Sequence, residues 1–130
     1  KRQWKPALAV TLAALSPKPD DADMRFERAR LEGLAGRPDT ALQQFERARE
    51  LGKDPYLIAD ETAHMLVRRK RFGQAINALS DLEKMPTPPG YGDYQRAGRV
   101  QMKAATYRGL KQNQQALDGY KELLAIVERA

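Results

Sequence analysis

The chain has 130 residues, 31% of them charged and 42% hydrophobic, a balance that suits thin amphipathic helices better than one thick core. No run approaches the roughly 20 apolar residues that span a bilayer, and the lack of cysteine rules out disulfides and thiolate metal sites. The net charge of +6 is uneven, with +4 in residues 1–19, −2 in 20–55, +1 in 56–92 and +3 in 93–130, which argues against the continuous basic stripe of a nucleic-acid binder.

The first predicted element is a helix over residues 3–15. Ala7-Leu8 within it opens a series continued by Ala41-Leu42, Ala75-Ile76 and Ala116-Leu117, at spacings of 34, 34 and 41 residues. Thr11, Phe45, Leu79 and Tyr120 follow these alanines by four residues, and Ala14, Ala48, Leu82 and Leu123 by seven. Such offsets lie on one helix face, and the small residue lets a neighbouring helix approach closely. The run from Lys1 to Leu15, basic and then apolar, also imitates a signal peptide. The shared register of Ala7, Ala14 and Pro19 favours the helix.

The next predicted helices cover 22–35, 39–51, 55–69 and 73–84. A second alanine set, Ala29, Ala63 and Ala104, leads the first by twelve residues and marks a partner helix in each unit. Gly36, Arg37 and Pro38 break the chain between two of them. Asp54-Pro55 reads as an N-cap followed by the first helical residue, and Arg68, Arg69, Lys70 and Arg71 suit the negative end of that helix's dipole. Between the second and third full units come seven extra residues, around Met85 to Gly92; Pro86, Pro88 and Pro89 cannot continue a helix, so a rigid projecting loop is expected. Helices over 93–110 and 113–128 complete the chain, which is expected to be all-α with no strand.

Two helices per 34 residues, repeated, is a solenoid pattern. The chain resembles the tetratricopeptide repeat family: Ala41 to Phe45 and Ala116 to Tyr120 match its Ala-x3-aromatic element. Ala104 to Tyr107 matches small-x2-Tyr, and Pro19 stands where the family closes a repeat. Arg25, Arg28, Glu32, Thr62 and Lys103 depart from it, being polar where it prefers apolar residues. The resemblance implies a helix-turn-helix solenoid of about three full repeats plus an orphan N-terminal helix. Its parts are residues 1–19 (second helix of a truncated repeat), 20–54, 55–92 with the loop insertion, and 93–130. An array that begins halfway through a repeat is expected to be an excised fragment that self-associates through its N-terminal end.

No catalytic constellation stands out. Asp60 and the only histidine, His64, are four residues apart and share a helix face, which reads as a surface pair rather than a catalytic dyad. Asp20, Asp21 and Asp23 sit where helix-start acids belong. There is no phosphate-binding glycine loop or nucleophile elbow. The chain is therefore expected to be no enzyme, with no cofactor and no metal.

Solenoids of this family present a groove lined by the first helix of each unit. The alanine register places Phe26, Arg30 and Gly33, then Asp60, His64, Val67 and Arg68, then Gln101, Ala105 and Arg108 along it. Loop residues Pro88, Pro89 and Tyr91 adjoin it, and Arg96, Arg99 and Lys103 form a basic stripe open to an anionic partner. The implied function is a protein-protein interaction scaffold binding a folded protein or a peptide, with no nucleic acid and no transmembrane segment in this stretch. The Arg- and Ala-rich degenerate repeats resemble the periplasmic arrays of bacterial exopolysaccharide exporters of the Pel type. That likeness implies a periplasmic location tethered to an outer-membrane protein, a role in biofilm secretion, and a polymer-modifying enzyme of the same machine as partner. A soluble peptide-binding adaptor, in the cytoplasm or periplasm, is the alternative; direct polysaccharide binding along the groove is another.

Overall fold

The computed structural model describes Pro6 and residues 21–129. Among these the chain forms six α-helices and no strand: α1 (Ala22–Leu34), α2 (Pro38–Glu50), α3 (Pro55–Arg68), α4 (Phe72–Glu83), α5 (Asp93–Gly109) and α6 (Asn113–Arg129). Every end lies within one residue of its expected position. The helix expected over 3–15, with Trp4, Leu8, Leu12 and Leu15, lies outside the described residues.

The backbone carries the sequence period. Gly36, Lys70 and Lys111 all adopt positive φ, at 85°, 59° and 61°, and each stands five residues before Ala41, Ala75 or Ala116. The following amide reaches back five residues in each case: Arg37 N–H donates to the Glu32 carbonyl, Arg71 to Leu66 and Gln112 to Tyr107, all at 2.9 Å. The left-handed residues themselves donate to Gly33, Val67 and Arg108. This is a Schellman ending, which satisfies carbonyls that a helix C-terminus leaves without partners. The alanines then donate back to Arg37, Arg71 and Gln112 as the next helix begins. Three helix-turn-helix corners are thus built by the same hydrogen bonds.

The chain divides into two compact units between Met65 and Leu66, inside α3. In the first, α1 packs on α2, with Ala29, Leu31, Ala41, Phe45 and Ala48 buried. The Phe26 and Phe45 rings meet edge to face at 5.7 Å. Gly33 belongs to this core, since a Cβ on it would lie 2.6 Å from Met65 Cγ. Its expected place on an open groove is therefore corrected: the missing side chain is what lets Met65 approach. Asp21 caps α1 by accepting from Met24 N–H at 3.1 Å. Asp54 caps α3 by accepting from Tyr56 N–H at 2.9 Å.

Glu32 is a departure from the apolar pattern that the structure explains. Its side chain is buried, accepts from Arg37 Nη1 at 3.0 Å and lies 3.6 Å from Arg28 Nε. The same residue's carbonyl receives the Arg37 amide, so side chain and backbone together clamp the first corner. In the second unit α4 packs on α5, and α5 on α6. Ala75, Leu79, Leu82, Ala104, Ala116 and Ile126 are buried there. A Cβ on Gly109 would lie 2.4 Å from the Phe72 ring.

Candidate binding cleft

The loop after α4 is a turn stiffened by its own sequence. Tyr91 N–H donates to the Pro88 carbonyl at 3.2 Å, and Gly90, between Pro89 and Tyr91, has φ of 83°. Proline second and a left-handed glycine third are the requirements of a type II turn. The turn delivers Tyr91 to α5, where the Arg99 guanidinium lies over its ring, 5.0 Å from the centroid. At the start of α5, Gln95 reaches back to accept from Gly92 N–H at 2.9 Å, tying the loop's end to the helix.

Tyr91 and Arg99 form part of a cleft of about 480 Å³ within the second unit. The face of α5 that lines it carries Arg96, Arg99, Val100, Lys103, Ala104 and Tyr107, residues three and four apart and so on one side of a helix. From α6 come Gln115, Asp118, Gly119 and Glu122; Glu83 and Thr87 border it at the end of α4. All three basic lining residues are on α5, and the three acids face it from its neighbours. Lys103 Nζ is 2.9 Å from Glu83 Oε1, and Arg96 Nη2 is 3.9 Å from Glu122 Oε2. Asp118 accepts from Gln114 Nε2 at 2.9 Å. These pairs are partly exposed, so each is worth only about 0–1 kcal/mol and exchanges partners readily.

The structure brings together the expected loop residue Tyr91 and the expected basic stripe Arg96, Arg99 and Lys103 in this cleft. Pro88 and Pro89 shape it through the turn rather than lining it. Gln101 and Arg108, which the alanine register placed in the groove, are exposed on α5 and do not line the cleft. Tyr107, Asp118 and Glu122 were not foreseen as site residues. Their signal was a spacing that Asp118 and Glu122 on α6 share with pairs on α5.

The other expected groove residues are placed in the first unit or on α3. Phe26 is engaged on two sides, by Phe45 and by Lys53 Nζ at 4.8 Å from its centroid. Arg30 bonds Glu27 at 2.6 Å and lies 3.6 Å from Glu61, which links α1 to α3. Asp60 and His64 form a partly exposed pair at 3.5 Å. Val67 is half-buried and Arg68 exposed at the end of α3. Among the described residues no group of three His, Cys, Asp or Glu is placed to hold a metal ion, and no helix is long and apolar enough to cross a membrane.

No family model matches the chain, and comparison with curated proteins finds no match.

Proposed function

We propose that the chain is a non-catalytic interaction scaffold of tetratricopeptide-like helix pairs, and that the cleft of the second unit receives a peptide segment of a protein partner. The observation that carries this reading is the Pro88–Tyr91 turn, which holds an aromatic ring against Arg99, one of a row of three cations, beside a small apolar floor. A turn pre-set by Pro89 and Gly90 loses little conformational freedom on binding. Weak, partly exposed ion pairs around it give polar contacts that a partner can take over.

In the wider reading the chain serves a bacterial envelope assembly, such as periplasmic exopolysaccharide export, which rests on the style of its repeats. A soluble peptide-binding adaptor, cytoplasmic or periplasmic, uses the same cleft in the same way. Tyr91 and Tyr107 at the cleft also favour a sugar-binding reading, since aromatic faces beside carboxylates suit carbohydrate rings.

The test is a peptide-display selection against the immobilised 130-residue chain. Recovered binders are expected to lose about tenfold or more in affinity against Tyr91→Ala and Lys103→Glu, and little against Arg108→Glu. A selection that yields no binder, or binders indifferent to the cleft variants, overturns the proposal. Binding of oligosaccharides in place of peptides, lost with Tyr91→Ala, transfers the cleft to the sugar reading.

A further inference from the structure

We infer that the segment received by this cleft is a peptide of mixed charge, with acidic side chains for α5 and basic ones for its neighbours. The inference rests on the reading of the cleft as the peptide site. Its three cations, Arg96, Arg99 and Lys103, are balanced by three acids, Glu83, Asp118 and Glu122. Within the cleft the charges cancel and local pairing decides, while the chain's net charge of +6 gives any acidic ligand a general long-range pull that salt screens.

Entry of a ligand disturbs the pairs already present. Lys103 is held by Glu83 and Arg96 more loosely by Glu122. A purely acidic peptide can take over Lys103 and Arg96, but it leaves Glu83 and Glu122 without cations and brings further negative charge beside Asp118. A purely basic peptide leaves the cations of α5 in the same position. Groups desolvated without a partner are costly. Only a ligand carrying both signs gives every displaced group a new partner, and its basic residues gain Asp118, which accepts from the neutral amide of Gln114.

The spacing is defined as well. Arg96 and Lys103 are seven residues apart on α5, a rise of about 10.5 Å. Acids three residues apart in a polyproline II segment lie on one side of it, ~9 Å apart, so the motif is two acids at i and i+3, each with a basic neighbour. A small apolar residue between them meets Val100, Ala104 and Gly119.

The experiment titrates the chain with four labelled peptides of equal length, read by fluorescence anisotropy. One carries the mixed motif, one only its acids, one only its bases, and one the same residues with the two signs in separate blocks. Re-pairing two or three ions at the value of a partly exposed bridge predicts about tenfold tighter binding of the mixed motif. That preference should fade at about 1 M salt, where screening acts within ~3 Å. The double variant Arg96→Glu with Glu122→Arg keeps an ion pair but reverses its direction. With an unchanged helical circular-dichroism spectrum and melting curve, it should lose that preference.

Equal or tighter binding of a single-sign peptide, or an unchanged preference in the reversed variant, overturns the mixed-charge inference and leaves the cleft as a peptide site. Failure of all four peptides, together with failure of the display selection, overturns both.

Discussion

Gly119 stands so close to Ala104 that a methyl group on its Cα would lie 2.8 Å from the Ala104 Cβ. The two residues set the distance between α5 and α6 at the floor of the cleft. Gly119→Ala should push the helices apart and destabilise the second unit by about 1–3 kcal/mol, as overpacking of a close contact does. Urea unfolding of the variant measures this, and an unchanged midpoint would mean the helices do not approach there. Peptide affinity should fall with it, because the walls of the cleft move.

The position of Ala104 was legible in the sequence, since the alanine sets at spacings of 34 and 41 residues mark close helix contacts. All six described members of the two sets are buried. The helix ends were legible for a related reason: Gly36, Pro38, Asp54 and the proline loop break or cap the chain in ways that local chemistry dictates. The site was less so. Counting from Ala104 chose Gln101, Ala105 and Arg108, whereas the cleft uses Val100, Lys103, Ala104 and Tyr107. The difference is one residue, or about 100° around a helix. Spacing within one helix cannot supply that rotation, because the neighbours that fix it are distant in sequence: Lys103 pairs with Glu83, 20 residues away.

Glu32 is the one buried carboxylate among the described residues, and its loss should be felt. Glu32→Ala removes the acceptor of Arg37 and the neighbour of Arg28 at the first corner. Because Arg37 is largely exposed, water can solvate it, and the cost should be about 1–3 kcal/mol rather than that of a fully buried orphan charge. Thermal melting of Glu32→Ala and Glu32→Gln checks this. Glu32→Gln should fall between the variant and the parent, since the amide oxygen still accepts from Arg37.

On α2 the side-chain hydrogen bond from Arg49 holds the Glu46 carboxyl below the usual carboxylate range, with the Arg49 charge adding to it and desolvation opposing. A lowered folded-state value means the pair stabilises the fold above the unfolded carboxylate's range. That contribution disappears as pH falls through the folded value. Both side chains are solvent-exposed, so salt screens the pair. Glu46→Gln should leave neutral stability almost unchanged and slightly flatten the acid side of the stability profile. A series of urea midpoints from neutral pH into the acid range checks this, and a large loss at neutral pH would contradict it.

Lys70 and Lys111 hold the left-handed conformation that Gly36 takes at the equivalent corner. For a residue with a Cβ this costs about 1–2 kcal/mol by the crowding of Cβ against the carbonyl. Glycine removes that crowding but has more freedom to lose on folding. The Schellman hydrogen bonds at 70–71 and 111–112 involve only the backbone, so replacement leaves them in place. Among the described residues neither lysine side chain makes a hydrogen bond or ion pair, and both are exposed. Lys70→Gly and Lys111→Gly should therefore each stabilise the chain by about 0.5–1 kcal/mol. The two sites lie in separate corners, so their effects should add within about 0.5 kcal/mol. Lys70→Val and Lys111→Val reverse the sign, because a β-branched side chain tolerates positive φ least. Differential scanning calorimetry of the four variants reads the order directly. Glycine variants that melt below the parent would mean the corners do not hold their left-handed residues in solution.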